Sequence, residues 1–327
     1  MIKIAIIPCQ NGLGHIDRSV QLSNILSPFF KIFLLSDIKK INKFKLKKSV
    51  NKINFLTNFK IKNKKYDQFW YKKVESDLNN INPDILISDN LPEIVFLNYK
   101  CIILSNFFWH EILKLKNKKI DKTMTLIKKN NVIIFRNKIF AKKKNITNIG
   151  FIGKDNNYTS RGKNSLLISF GSVDKKNDII KKDIEEIIFD KKRNFLVYLD
   201  PKYFKKKYAY MNVKIATYDT KMFNSVKFAI IKPGFGSIHN CLKNRIIIFC
   251  YLNKEYNKEF STNANAIADN NLGYKTRKLS TAYRLIRDNK VKKLNIINKD
   301  IWNGEKKIIN TLYKLTFDKK NLLNNSY

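Results

Sequence analysis

Residues 11–26 read NGLGHIDRSVQLSNIL. Two glycines, Gly12 and Gly14, precede His15, and Arg18 follows about one helical turn later. A glycine turn lets backbone N–H groups come close to a ligand. A helix start adds unpaired donors and partial positive charge, so the stretch can hold an anion. An imidazole beside it can take a proton from an attacking hydroxyl near neutral pH. Arg18 can hold a phosphate or carboxylate, or pair with Asp17 or the helix. His15 also has a purely structural reading, as a helix-start residue bonded to a loop carbonyl. Gly12-Leu13-Gly14 is not the G-x-G-x-x-G dinucleotide fingerprint, because Asp17 stands at the third glycine position.

Such a loop needs a strand before it and a helix after it. Ile2–Ile7 is an apolar run without alternation, and Leu22, Ile25, Leu26 and Phe29 follow the spacing of a buried helical face. Similar short runs recur at 32–35, 85–87, 102–104, 132–135, 166–170, 195–199, 228–231 and 246–251. Continuous β-branched runs suit parallel strands covered on both faces, and helix-length segments lie between them. The class is α/β, with two doubly wound Rossmann-like domains expected to face one another across a cleft. The polar, glycine-bearing stretch 153–164 divides the chain. The expected layout is an N-terminal domain over 1–152, a linker, a second domain over 165–304, and a C-terminal helix and tail over 305–327.

Composition narrows the partners. The 327 residues carry 65 Lys and Arg against 26 Asp and Glu, a formal charge of +39. Lysines dispersed along the whole chain are compatible with compositional drift, yet they attract polyanions and acidic lipid whatever their origin. A nucleic-acid-binding role is therefore an alternative. No zinc spacing, aromatic RNA-binding pair or G-x-x-x-x-G-K-[ST] loop accompanies the charge, so no specific nucleic acid is expected. The four cysteines, Cys9, Cys101, Cys241 and Cys250, form no close pair and read as reduced core thiols of a cytoplasmic protein. No apolar run approaches the roughly 20 residues of a membrane span.

The motif G-x-G-H-x-x-R followed by LSNIL resembles the N-terminal signature of the GT-B nucleotide-sugar superfamily. Two branches share it: the lipid-II-forming N-acetylglucosaminyltransferases and the UDP-sugar hydrolase of pseudaminic acid synthesis, whose local pattern is the nearer match. The resemblance implies a catalytic role for His15. Leu166–Asp174 (LLISFGSVD) looks like the turn that opens the family's nucleotide-binding domain. There Ser169, Gly171 and Ser172 would offer donors to a diphosphate, although an ordinary βα turn with a capping serine reads the same. Residues 218–251 resemble the family's most recognisable stretch, with Gly234, Gly236 and Ser237 forming its turn. The family's usual glutamate is Asn240 here, an amide without charge, so this position does not imply a UDP donor. His239 beside it reads as a ligand contact or, by preference, as a solvent-facing helix residue. In 255–274, Asn263 or Asn265 would touch sugar or phosphate, with Asn265 preferred, and Gly273 reads as a left-handed helix stop.

Two further stretches bear on the acceptor. ILISDNLPE places Asp89 at a strand's C-terminal end, where it could orient His15, bind a sugar hydroxyl, or simply make a turn. Phe107, Phe108, Trp109 and His110 could line an acceptor pocket or pack in the core. There is no D-x-D motif, so neither metal nor cofactor is expected. Helix N-termini with Arg18 or Arg245 would carry the leaving diphosphate. The resemblance thus implies a metal-independent glycosyltransferase using a nucleotide-diphosphate sugar and a glycan or lipid-linked acceptor, in cell-surface glycan synthesis. Peripheral contact with an acidic membrane at its inner face would follow from the basic segment 39–59, which also reads as a solvated face. A nucleotide-sugar hydrolase is the alternative.

Overall fold

The fold is taken from a computed structural model, which describes residues 1–10, 13–55, 69–140, 146–153, 164–171, 178–253, 258–292, 294 and 299–324. The chain forms two compact units. The first comprises Met1–Gly153 with Lys299–Tyr327, and the second comprises Lys154–Asn298.

The first unit contains strands β1 (Lys3–Pro8), β2 (Lys31–Ser36), β3 (Asn51–Asn54), β4 (Ile85–Asp89), β5 (Lys100–Leu104), β6 (Ile133–Asn137) and β7 (Thr147–Ile149). Its helices are α1 (Gly14–Leu26), α2 (Ile38–Ile41), α3 (Tyr71–Ile81), α4 (Trp109–Leu113) and α5 (Lys118–Lys129). All strand pairs are parallel, in the order β3-β2-β1-β4-β5-β6-β7. Side chains alternate across the sheet, so β1 feeds two cores. Ala5 and Ile7 join Trp70, Val74 and Leu78 on one face. Ile4 and Ile6 join Ile16, Leu22 and Leu26 on the other.

The second unit repeats the plan with β8 (Ser165–Ser169), β9 (Leu196–Leu199), β10 (Val213–Ile215), β11 (Phe228–Ile231), β12 (Ile247–Tyr251) and β13 (Gly273–Thr276). Its helices are α6 (Asp178–Phe189), α7 (Thr220–Ser225), α8 (Phe235–Lys243), α9 (Lys258–Asp269) and α10 (Leu279–Arg287). The order β10-β9-β8-β11-β12-β13 is again all parallel. Each sheet therefore reverses direction once, between β1 and β4 and between β8 and β11. Ligands of doubly wound sheets bind outside the strand C-termini at that reversal.

Several expectations change. The last helix, α11 (Gly304–Asn324), is no appended tail: Ile308 and Leu312 lie in the first unit's core beside Ile4 and Leu26. The second unit ends at Asn298 rather than 304, and of the expected linker residues 154–163 lie outside the described ones. Gly150 N–H donates to the Asn303 side chain at 2.9 Å and Lys307 Nζ to the Asn148 carbonyl at 3.0 Å, pinning the returning chain to β7. Helix α1 stops at Leu26, which leaves Phe29 46% exposed outside the predicted apolar face, its ring against Tyr313. Gly273 does not stop a helix. Asn271 takes the left-handed conformation (φ 54°), and Gly273 opens β13. It must be glycine because an added Cβ would meet the Ile248 carbonyl at 2.6 Å and Ile267 Cγ2 at 2.8 Å.

The four cysteines are buried and none is in a disulfide. Burial pushes the Cys101 and Cys241 thiols up to about 12, so they stay protonated at neutral pH. No helix among the described residues is long and apolar enough to cross a membrane.

Gly150→Ala and Gly273→Ala are each expected to lower stability by about 1–3 kcal/mol in denaturant titrations, because the new methyl meets backbone. At Gly150 it would lie 2.5 Å from the Ile301 carbonyl and 2.6 Å from the Asn303 nitrogen. Asn271→Gly, which keeps the left-handed backbone, should stay within about 0.5 kcal/mol.

Candidate active site

The reversal point of the first sheet holds an ionic cluster. Asp89 ends β4, and its backbone carbonyl accepts from Cys9 N–H at 2.9 Å, which ties it to the chain leaving β1. Its side chain is fully buried. Two residues of the first turn of α1 reach it. His15 Nδ1 lies 2.8 Å from Asp89 Oδ1. Arg18 Nε donates to Oδ2 at 2.6 Å, and Arg18 Nη2 donates to Oδ1. The spacing explains the pair, since residues three apart on a helix are neighbours. Gly14, exposed at the first position of α1, lets the helix begin there, and Gly12 lies outside the described residues.

Burial pushes the Asp89 carboxyl up, but the Arg18 and His15 charges and their hydrogen bonds outweigh it and hold the group below its ordinary value. A carboxylate on Nδ1 assigns the proton to that nitrogen and leaves Nε2 with its lone pair. Nε2 makes no hydrogen bond among the described residues. His15 is only 15% exposed in its side chain.

The wall beside His15 is aromatic. The Trp109 ring stands 6.3 Å from the imidazole at 63°, edge on. Asn90, in a left-handed turn (φ 63°), holds that ring once its amide is assigned with the nitrogen toward the Phe107 carbonyl and Ser105 Oγ, so that its oxygen accepts from Trp109 Nε1 at 3.1 Å. Phe107, Phe108 and Trp109 are buried core residues, and His110 stacks on Phe108. Of the four, Trp109 alone makes a ring contact with His15 among the described residues.

Of the roles expected of Arg18, the structure shows the carboxylate one. Its guanidinium grips Asp89, and Asp17, its other candidate partner, accepts from Gln21 instead.

The reversal point of the second sheet is built differently from expectation. Gly171 follows β8 with φ 70°, a conformation that favours glycine. Its N–H does not await a diphosphate: Phe170 N and Gly171 N donate to Asp200 Oδ2 at 3.3 and 3.2 Å. A buried carboxylate in that position repels a phosphate. Ser169 Oγ is engaged by the Tyr218 hydroxyl at 2.8 Å, and Ser172 lies outside the described residues.

The turn after β11 fits an anion better. Gly234 caps α8 with no side-chain cap, and a Cβ added there would meet nothing within 4 Å. Gly236 sits half-buried in the first turn of α8 and Ser237 is exposed beside it. Asn263 Nδ2 holds the turn by donating to the Pro233 carbonyl at 3.0 Å. Lys232 just precedes it, buried to 8% exposure, its ammonium 5.1 Å from the Phe260 ring centre. A Cβ added to Gly171 would stand 4.0 Å from Lys232 Nζ. Among the described residues the cations of this region are Lys232 and Lys202, whose Nζ donates to the Gly171 carbonyl at 2.6 Å, and not Arg245, which lies past the far end of α8, about 13 Å along its axis.

Asn240 is half-buried on α8, with no side-chain hydrogen bond among the described residues. His239 is buried to 7%, not solvent-facing. Asn265 is exposed and accepts from Lys275, two residues and so about half a turn away from Asn263. Sequence reasoning passed over Asp200 and Lys232. Asp200 had a signal: LVYLD ends an apolar run in aspartate just as ILISD does. Among the described residues no group of three or more His, Cys, Asp or Glu could hold a metal ion.

Asp89→Asn leaves the Arg18 charge uncompensated and should cost about 3 kcal/mol at neutral pH. The lowered carboxyl contributes stability above its unfolded value near 4, and that contribution is lost as pH falls through the lower folded value. The gap between wild type and variant in denaturant titrations should therefore be constant above about pH 5 and shrink in acid.

No family model matches the sequence, and no curated protein does. Solved structures do match. The calicheamicin glycosyltransferase CalG4 superimposes with a TM-score of 0.63 at 10% identity, covering 96% of this chain and 98% of that one. A UDP-glucosyltransferase from Polygonum tinctorium, described as capable of glucosylating indoxyl, gives 0.62 at 11%, covering 88% and 89%. SsfS6, a glycosyltransferase of Streptomyces sp. SF2575 solved with thymidine diphosphate, gives 0.58 at 9%, covering 93% and 95%. Identities this low speak to architecture alone, and on that measure, with two parallel sheets each reversing once, the chain has the GT-B fold of the glycosyltransferases.

Proposed function

We propose that the chain is a glycosyltransferase that moves a sugar from a nucleotide-diphosphate donor to a hydroxyl of an acceptor. The observation that carries the reading is the His15–Asp89 pair at the reversal point of the first sheet. Asp89 holds the proton on Nδ1, so Nε2 is the base. Nε2 takes the proton of the acceptor hydroxyl as its oxygen bonds to the anomeric carbon. The bond from that carbon to the diphosphate oxygen breaks, and the leaving diphosphate keeps the electron pair. Asp89 then faces a full imidazolium and stabilises it. Arg18 is a positioning residue that keeps Asp89 ionised and in place.

The second unit supplies the anion site of this reading. The backbone donors at Gly234, Gly236 and Ser237, with the α8 N-terminus and the Lys232 ammonium, stabilise charge developing on the leaving group. Asn240 is the candidate for ribose hydroxyls. With no D-x-D motif in the sequence, these groups take the share of stabilisation that a metal has elsewhere. The names of the structural neighbours support both donor and transfer. The same reading puts the acceptor among glycans or lipid-linked saccharides of the cell surface, made in the cytoplasm. The charge of +39 favours contact with an acidic membrane face.

Incubation with UDP-, GDP-, CDP- and TDP-sugars should release nucleoside diphosphate only when an acceptor extract is present. Release at full rate without acceptor would make the chain a hydrolase, and release from none would remove the reading. His15→Ala should lower turnover about 10²–10⁴-fold while nucleoside diphosphate affinity, read by calorimetry, changes less than about twofold.

A further inference from the structure

Asn90 follows Asp89 directly and takes a left-handed conformation, which few residues with a side chain adopt and which asparagine tolerates best (φ 63°). It is 1% exposed. A buried amide must have its donors and its acceptor matched, and the neighbours fix which way round it lies. The Ser105 hydroxyl has a single hydrogen, which goes to the Phe107 carbonyl. Ser105 Oγ can then only accept from Asn90, so the amide nitrogen faces it at 2.7 Å and reaches the Phe107 carbonyl as well. Trp109 Nε1 can only donate, and the amide oxygen receives its hydrogen at 3.1 Å.

The loop that carries Trp109 is tied down on every side. Asn90 N–H donates to the Leu104 carbonyl, and Ser105 N–H to the Phe135 carbonyl, both at 2.8 Å. Asn106 Oδ1 accepts from Asn137 N–H at 3.2 Å. These bonds lace the C-terminal ends of β4, β5 and β6 together. Glu111 accepts from Phe108 N–H at 3.1 Å, which caps α4 and sets Trp109 as its first residue. The Phe107 ring meets the indole at 5.5 Å and 78°. Trp109 is 3% exposed, so it offers no open face for a sugar to stack on. What it does offer is an edge, 6.3 Å from the His15 ring centre at 63°.

An imidazole bonded to Asp89 through Nδ1 can still swing about its Cβ–Cγ bond. That torsion is broad, so the ring has little restraint of its own. Each swing weakens the bond to Asp89 and turns Nε2 away. An indole edge at the distance of an edge-to-face pair limits the swing. Filling this space would not by itself call for a buried amide, which is costly unless each of its bonds is made.

We propose that Asn90 is a positioning residue: by fixing the Trp109 edge against His15, it keeps Nδ1 on Asp89 and presents Nε2 to the acceptor hydroxyl. The role in transfer rests on the transferase reading, whereas the effect on ring orientation does not.

The chain has three histidines, His15, His110 and His239, so nitrogen NMR of the full chain labelled at histidine resolves each ring, with His15→Ala assigning its signals. With His15 neutral, the unmodified chain should show a protonated Nδ1 and a lone-pair Nε2, their shifts well separated. Asn90→Gly keeps the left-handed backbone and removes the amide. The two His15 shifts should then move toward each other as the ring samples both tautomers, while those of His239, in the other unit, stay in place. Trp109→Phe keeps an aromatic ring without the N–H and should move them in the same direction. Asn90→Gly in a Trp109→Leu background should add no further shift, because Asn90 acts through that ring. In turnover, Asn90→Gly should lower kcat about 10–10²-fold while KM changes less than about twofold.

Unchanged His15 shifts in Asn90→Gly or in Trp109→Phe, a further shift from Asn90→Gly in the Trp109→Leu background, or an unchanged kcat would each overturn the proposal, and a loss of stability with unchanged shifts would make Asn90 structural only. If Asn90→Gly does not fold, Trp109→Phe decides. An unmodified chain protonated at Nε2 would overturn the proposal and the transferase reading together. The expected shifts without turnover of any donor would remove the transferase reading alone.

Discussion

A carboxylate with no exposed surface survives at the end of β4 because the Arg18 guanidinium and the His15 Nδ1–H reach it from the helix that follows β1. Removing an ion from water costs several kcal/mol, and only good geometry with saturated hydrogen bonds offsets that. Both oxygens of Asp89 are bonded, one by Arg18 alone and one by Arg18 and His15. This one requirement fixes much else. Helix α1 must begin at Gly14, so that residues 15 and 18 share a face. Strands β1 and β4 must be neighbours, so the sheet must reverse between them. The imidazole must present Nε2 outward, against a Trp109 edge that Asn90 holds. Electrostatic satisfaction of one side chain thus settles tautomer, helix start and strand order together.

The sequence was most legible where burial is symmetric. The nine apolar runs all became strands, and they are the inner strands of both sheets. The four that were passed over, β3, β7, β10 and β13, are the four edges. An edge strand has one neighbour and faces water along its side, so it can be short and polar, as NKIN, TNI, VKI and GYKT are. Such a segment carries no hydrophobic signal. The C-terminal helix was visible, but its return to the first core was not, because nothing local records which core receives Ile308 and Leu312.

The site was legible by the same rule, and it failed for the same reason. His15, Arg18 and Asp89 were each readable as chemistry-bearing residues at strand ends. Their assembly was not, since Arg18 and Asp89 are 71 residues apart. Arg18 looked like a phosphate ligand while its carboxylate partner was out of view. Gly171 looked like an open anion turn for want of Asp200, which is 29 residues away. Local pattern identifies a group's capability, and the non-local partner decides whether that capability remains available. The lysine-rich composition hid Lys232 in the same way, because one cation among 65 carries no signal until its burial is known.

The second unit is enclosed between two crossings of the chain, near residues 153 and 299. Its own sheet and helices are contiguous, so it can complete itself as soon as residue 298 has left the ribosome. The unit bearing His15 cannot. One face of its sheet, covered in part by α1, is completed only when α11 is made and adds Ile308 and Leu312 to the core of Ile4, Ile16, Leu22 and Leu26. Synthesis therefore finishes the later-encoded lobe before the earlier-encoded one. The imidazole and its carboxylate are held through translation by a half-covered scaffold, and it is there that nascent chains should meet chaperones.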